Sequence, residues 1–405
     1  MNADRKDAGN PSMDCSERGA AKPASGDADG LKVIGKGCSC GEAVPPTLAA
    51  GRVDAHWTDG VVTTAVSDVP RARTQLDARD RLGGFRARWG IGRMDYRVAP
   101  GLYAVGDPGP LSPVLVSANY KMSFDRLRAM LSGRAAWILV LDTRGINVWC
   151  AAGKGTFGTD EIVERVRGTL LERIVSHRTL VVPQLGAPGV SAHRVRERCG
   201  FRVVYGPVRA DDLPAFLDAG MKALPQMRRA RFGLRERAVL IPVELVTGGK
   251  FALLVAAAFL LLGGVGPDGY SLASVRATGL AGAALVLGAC VWTAILGPAL
   301  LPWLPGRAFA VKGAALGGVL VVAVAAWGWP GPGLFGSWWH AAAWALIVPS
   351  IASFALMNFT GATTFTSLSG VLREMRFAVP AQIAGGGVGL LLWLTGLFFR
   401  GARAV

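Results

Sequence analysis

The chemistry with the most to say lies in the run INVWCAAGKGTFGTDE, residues 146–161, where Cys150 stands among very small side chains closed by Lys154. A thiol serves as a nucleophile once ionised and as a ligand for soft metals. A phosphate-cradling loop would need Gly, four residues, then Gly-Lys-Ser/Thr. Counting back from Gly153 gives Val148, and Gly155 follows Lys154, so the pattern fails at both ends and a nucleotide hydrolase is not supported. A phosphate contact at Lys154 stays open. A nucleophilic cysteine needs a base, and His177 and His193, the candidates, lie in no matching motif. A third reading is a short helix over 147–154 with Asn147, Cys150 or Ala151, and Lys154 on one face. Ala151, Ala152 and Gly153 would then leave a smooth surface for a flat macrocycle whose metal the thiol reaches. A buried structural cysteine beside a tight turn is the fourth.

Elsewhere, GKGCSCGE places Cys38 and Cys40 one residue apart, close enough to capture a soft metal ion or to be an incidental pair. The six cysteines, at 15, 38, 40, 150, 199 and 290, form no CxxC pair and no disulfide framework, which points to reduced thiols.

The elements that must position Cys150 alternate from residue 85 to 220. SPVLVSA (112–118), AAWILVLD (135–142), TLVVPQ (179–184) and FRVVYGP (201–207) read as strands. Between them SFDRLRAMLSG (123–133, capped by Ser123), TDEIVERVRGTLLERIV (159–175, opened by Thr159) and SAHRVRERCG (191–200) read as helices. The alternation predicts a parallel sheet covered by helices, with ligands at loops beyond the carboxyl ends of the strands. Four segments fall there: 119–121, 142–159, 185–191 and 205–212.

Charge divides the chain. Of a net +16, the first 250 residues carry +11, from 37 basic and 26 acidic side chains, whereas residues 251–405 hold seven Lys/Arg and two acids. Bases and acids interleave in the first half without an aromatic-basic array, so nucleic acid is not the expected partner. Five apolar stretches follow, near 251–266, 277–300, 313–331, 337–357 and 377–399, each long enough or nearly so to cross a bilayer. The first is short and is expected to borrow residues before Lys250. Basic residues before the first stretch (Arg228 to Arg237), between the second and third, and between the fourth and fifth put the N-terminus in the cytoplasm. Arg400 and Arg403 oppose that assignment weakly. Apart from Arg276 at an edge and His340, the stretches lack ionisable groups, which favours an anchor or docking platform over an ion pump. The domains expected are a disordered tail (1–55), a ligand-binding domain (56–225), a basic juxtamembrane linker (226–250) and a membrane domain (251–405). The N-terminus has no apolar core segment of a secretory signal, so the first half is expected in the cytoplasm and the chain in the inner membrane, multi-pass.

NVWCAAGK resembles the signature of the HgcA family of membrane-bound corrinoid proteins of microbial mercury methylation. The resemblance extends to RLGGFRARWGIGRMDYRVAPGLYAVGDPGPLSPVLVSANYKMSFDRLR, to LGAPGVSAHRVRERCGFRVVYGPVRADDLPAF and to TGATTFTSLSGVLREMR, and so from about residue 80 to the end. The domain is also similar to the corrinoid domain of the soluble corrinoid iron-sulfur protein of the acetyl-CoA pathway. The tail with Cys38 and Cys40 departs from that pattern; Hg(II) handling there is an open expectation. The fold implied is an α/β Rossmann-like corrinoid-binding domain followed by an α-helical transmembrane domain of five helices. The resemblance implies cobalamin bound base-off, with Asn147, Val148, Trp149, Cys150, Ala151, Ala152, Gly153 and Lys154 forming a cap helix and Cys150 the lower axial ligand of cobalt. Thr156, Asn119, Gly186, Gly189 and Ser191 would hold the cofactor from the strand-end loops. A thiolate opposite the methyl group would push electron density onto cobalt and favour transfer to Hg(II), giving a methyltransferase that makes methylmercury. The partners implied are an HgcB-like ferredoxin with two 4Fe–4S clusters and a methyl-folate-type methyl donor protein. Two alternatives stand beside it: a corrinoid methyl carrier of one-carbon metabolism, and a non-enzymatic membrane protein that binds corrinoid.

Overall fold

The computed structural model describes residues 55–327, 332–335, 337–359 and 368–399. The expected tail, with Cys38 and Cys40, lies outside the described residues.

A hairpin of β1 (Thr58–Thr63) and β2 (Asp68–Ala72) leads into helix α1 (Ala78–Arg88) and strand β3 (Gly101–Val105). Then follow β4 (Val114–Ala118), α2 (Lys121–Ala129), β5 (Ala136–Leu141), α3 (Val148–Lys154), α4 (Thr159–Gly168), α5 (Leu171–Ile174), β6 (Thr179–Val182), α6 (Ala192–Cys199), β7 (Arg202–Tyr205) and α7 (Leu213–Asp218). The strands make one seven-stranded sheet in the order β1-β2-β3-β5-β4-β6-β7. Strands β4 to β7 are mutually parallel, in register Val114 with Trp137, Leu115 with Val181 and Val181 with Val204. Every residue of β3, β4 and β5 is buried, so these strands show no in–out alternation: helices or loops cover both faces.

Three expectations need correction. The sheet is mixed, because β3 runs antiparallel to β5 and β1 antiparallel to β2. Helix α1 joins β2 to β3, which pair parallel, and the reversal appears where β3 meets β5. Helix α2 starts at Lys121 after Tyr120, two residues before the expected Ser123 cap. The 159–175 helix is two helices, broken where Leu170 takes a left-handed φ of 47°, and its cap is Gly158 rather than Thr159.

One sheet face packs Ala151, Ile162, Val166 and Val195 from the helices, and Phe157 from the turn between α3 and α4, over β4, β5 and β6. The other face buries Trp57, Tyr103, Phe124 and Phe216, with the Trp57 and Phe124 rings edge-to-face at 5.1 Å.

The remainder is helical. Helix α8 (Leu234–Ala238) runs on into α9 (Ile241–Leu262), followed by a short ladder of β8 (Val265–Gly266) and β9 (Gly269–Tyr270). A single turn, α10 (Leu272–Ser274), passes through a π-turn at Val275–Gly279 into α11 (Leu280–Leu300). Then come α12 (Phe309–Ala326), α13 (Pro332–Phe335), α14 (Trp338–Asn358) and α15 (Leu368–Phe398). Five helices are long and apolar enough to cross a membrane: Leu234–Leu262, Leu272–Leu300, Phe309–Ala326, Trp338–Asn358 and Ser369–Phe398. The first does borrow residues before Lys250; Pro242 sits in the first turn of α9, where a missing N–H costs nothing. Glycines set the crossings. A Cβ on Gly317 would lie 2.6 Å from the Cα of Pro349, so α12 and α14 touch backbone to backbone through Gly313 and Gly317. The Lys312 ammonium donates to the Leu301 carbonyl at 2.6 Å, and the Glu374 carboxylate accepts from the Ala310 N–H, also at 2.6 Å, near the N-terminus of α12.

Candidate functional site

The parallel strands run β5-β4-β6-β7, so successive connections leave β4 in opposite directions and open a crevice between β4 and β6. A cavity of about 860 Å³ occupies it. The strand side is apolar, with Leu115, Val116, Val181 and Leu185; Asn147, Val148 and Trp149 reach it from α3, while Arg81, Arg88, Arg126 and Arg209 supply cations. All four segments flagged at the strand ends line it, through Tyr120, Asn147, Leu185 and Gly206. Arg209 falls in the flagged 205–212 segment, whereas no local sequence signal marked Arg81, Arg88 or Arg126.

Helix α3 is built by its ends. Asn147, at the N-cap, accepts from the Cys150 N–H at 2.9 Å. Gly155 closes the other end with φ +81°, a left-handed conformation where a side chain would be strained. Thr156 turns its hydroxyl back to the Ala151 carbonyl. The expected short helix therefore forms, but its faces differ from those expected. Ala151 and Ala152 are buried in the core, so they do not clear a surface beside the sulfur. Their small size lets α3 settle onto the 185–190 loop, where a Cβ on Gly189 would lie 3.1 Å from the Cα of Ala152. Gly186 likewise makes room for the Phe157 ring. The outward positions are Trp149, half-buried Cys150, Gly153 and exposed Lys154, and Gly153 has open space around it. Cys150 is a free thiol one residue beyond the cavity wall at Trp149.

Asn119 acts one step back from the site. It is buried, and its side-chain oxygen accepts from the Thr143 N–H at 3.1 Å, the Thr143 hydroxyl at 2.8 Å and the Gly145 N–H at 2.9 Å. Its amide donates to Asp142 at 3.0 Å. One side chain thus pins the whole turn that delivers α3, which accounts for Asn119 as an organiser of the loop. Ser191 donates its N–H to the Thr159 hydroxyl at 2.9 Å, and its own hydroxyl lies 3.0 Å from His193. His177 lies 2.9 Å from the carbonyl oxygen of Ser112, beyond the amino end of β4, so it is no base for Cys150.

Next to the cavity lies a buried ion network. The Lys121 ammonium donates to Asp80 at 2.7 Å and to Asp125 at 2.7 and 2.9 Å. The Arg128 guanidinium donates to Asp125 at 2.9 Å and to Asp80 at 2.6 Å. Burial alone would raise the Asp80 pKa, but Lys121 and Arg128 outweigh it and hold the carboxyl well below the usual range. Burial, then the neighbouring Asp125, pushes the Tyr96 phenol up, so it stays protonated and donates to Asp125 at 3.3 Å. His56, Asp77 and Asp80 come close enough together to suggest a metal site. With both Asp80 oxygens taken by cationic donors, the geometry supports a structural ion network instead.

Residues 92–217 match the family described as CO dehydrogenase/acetyl-CoA synthase delta subunit. Among individual proteins, the chain is similar to the acetyl-CoA decarbonylase/synthase complex subunit gamma of Archaeoglobus fulgidus, 32% identical over 128 residues. The same subunit of Methanopyrus kandleri is 34% identical over 128 residues. In both cases the match covers 31% of this chain and 27% of the relative. Subunit gamma 2 of Methanosarcina thermophila is 31% identical over 121 residues, covering 29% of this chain and 25% of that protein. The chain thus spans about a quarter of the length of the curated relatives it matches, and the matched family segment holds the crevice, α3 and Cys150.

Proposed function

We propose that the chain is a membrane-held corrinoid protein that carries a methyl group in one-carbon metabolism. The observation that carries this is the cavity at the β4/β6 crevice, bordered by a short helix bearing Cys150, within the segment that matches the acetyl-CoA synthase family. The residues suit such a group: apolar strand ends for a flat ring, and arginines for a phosphate-bearing tail. A bound corrinoid supplies a cobalt centre that takes up and releases a methyl group. The chain's part is to seat that group between α3 and the strand ends and to present the Cys150 sulfur as a soft ligand. Asn119 and Asn147 keep α3 in place. Gly153 leaves the outward face of α3 open beside Cys150.

A second reading makes Hg(II) the methyl acceptor. It rests on the resemblance of NVWCAAGK to the mercury-methylating family, on the free thiol of Cys150 and on five helices long enough to anchor the chain. The HgcB-like ferredoxin and the methyl-folate-type donor belong to this reading. The acceptor test uses full-length protein loaded with methylcobalamin, in vesicles, offered either Hg(II) or the acetyl-CoA synthase of a one-carbon pathway. The carrier reading expects methyl transfer to the synthase; methylmercury formation that disappears in Cys150→Ala, with cobalamin still bound, would replace it by the mercury reading. Protein that retains no corrinoid sinks both.

A further inference from the structure

Helix α1 carries its largest apolar side chains on the wrong side for a protein core. The face turned inward consists of Asp80, Gly84 and Ala87, all buried. Gly83 and Gly84 let that face sit low, and a Cβ on Gly83 would run into the Tyr96 ring. Opposite lie Ala78, Leu82, Phe85 and Trp89, four, three and four residues apart, which is the spacing of one stripe on a helix. Leu82 and Phe85 are more than half exposed, as are Ile91 and Met94 just beyond the helix. Arginines flank the stripe on both sides, Arg79 and Arg86 along one edge and Arg81 and Arg88 along the other. From 78 to 97 there are six arginines and two acids, and one of those acids, Asp80, is buried in the ion network.

An exposed apolar stripe between two rows of cations fits a surface whose interior is hydrocarbon and whose rim is phosphate. Its position points the same way. Gly90, directly after Trp89, packs so close to α9 that a Cβ there would lie 3.3 Å from Val246. Val246 lies in the span Leu234–Leu262, just over a turn before the uncharged run that begins at Phe251. The stripe is therefore beside the membrane-entry end of the first span. It also lies outside the matched segment 92–217.

We infer that α1 is an interfacial helix: Leu82, Phe85 and Trp89 enter the headgroup layer of an anionic phospholipid surface, and Arg79 and Arg86 bind its phosphates. Arg81 and Arg88 also border the cavity. Docking therefore sets the cavity's edge at the bilayer surface. The inference rests on insertion of the five helices and is independent of the corrinoid reading, since absence of corrinoid would not alter it.

The test places a benzophenone side chain at Leu82, at Phe85 or, as a control, at exposed Arg202 on the opposite edge strand of the sheet. Full-length protein is reconstituted in vesicles of phosphatidylcholine and phosphatidylglycerol at about 7:3, irradiated and read by mass, with circular dichroism to check the fold. Lipid adducts at 82 and 85 are expected roughly tenfold above those at 202, a ratio that shrinks when Arg79→Gln and Arg86→Gln are combined. Adducts at 82 and 85 no higher than at 202 overturn the inference. So does cross-linking in native membranes to an acidic protein alone, which would make this face a protein dock.

Discussion

The α/β half and the helical half solve the problem of burial in opposite ways. In the α/β half, large rings fill the core and four charged side chains, Asp80, Lys121, Asp125 and Arg128, are buried as one closed network. In the helical half Phe251, Leu254, Val322, Phe377 and Ile383 remain exposed, and the helices meet through glycine. Water rewards the removal of apolar surface, whereas lipid does not, so contact in lipid depends on how closely two backbones can approach. The difference shows which residues each half cannot lose: in one the partners of buried charges, in the other the absence of a side chain.

The largest effect expected is from Gly317→Leu. Its side chain would occupy the space held by Pro349 and Ala352, forcing α12 and α14 apart, so monodisperse protein should be lost on size-exclusion chromatography. Gly318→Leu, at the adjoining residue, meets nothing within 4 Å and should extract normally. Equal behaviour of the two would remove glycine packing from the account.

On the water side the counterpart is Lys121→Met. It leaves Asp80 and Asp125 with one cation between them and should cost about 3–5 kcal/mol, read as a lower thermal midpoint of the full chain in micelles. The sign of the pH dependence follows from Asp80, whose folded pKa is depressed. Its stabilisation is complete above the ordinary value of 3.8 and drains away as pH falls through the lower folded value. Acid should therefore lower the midpoint of the wild type more steeply than that of Asp80→Asn; parallel curves would show that the carboxylate is not what the network stabilises.

Smaller effects separate the two asparagines. Asn119→Ala strands the Thr143 and Gly145 donors in the interior and should cost about 1–3 kcal/mol. Asn147→Ala removes one N-cap bond and should cost about 1 kcal/mol. Both should weaken corrinoid retention, Asn119→Ala more, in equilibrium dialysis of the full chain. A reversed order would mean that α3 is held by its own cap rather than by the turn before it.

Much of this was legible in the sequence for physical reasons that also explain the gaps. Apolar runs marked all five helices long enough to cross a membrane, the first of them short of that length, and strand–helix alternation marked β4 to β7. Strands β1 to β3 escaped because the β1–β2 hairpin and the antiparallel β3 do not follow the parallel strand–helix rhythm, and because β1 is a mostly exposed edge strand. The short helix at Asn147 was legible from its spacing, with Gly155 just beyond its end. Which way Ala151 and Ala152 faced was not, since a seven-residue helix of small side chains has no apolar stripe to orient it. The pairing of Lys121 with Asp80 joins residues 41 apart and leaves no local trace. Helix α1 went unread: its apolar stripe has the spacing of a core face, yet it points outward.

The central claim is that a corrinoid sits in the β4/β6 crevice within reach of Cys150. It is tested most directly by the visible absorption of full-length protein reconstituted with cobalamin under anaerobic conditions, compared with Cys150→Ala treated identically. The account expects both proteins to retain corrinoid after gel filtration, with cobalt bands that shift when the sulfur is removed. Superimposable spectra, or passage of the corrinoid through the column unbound, would contradict it.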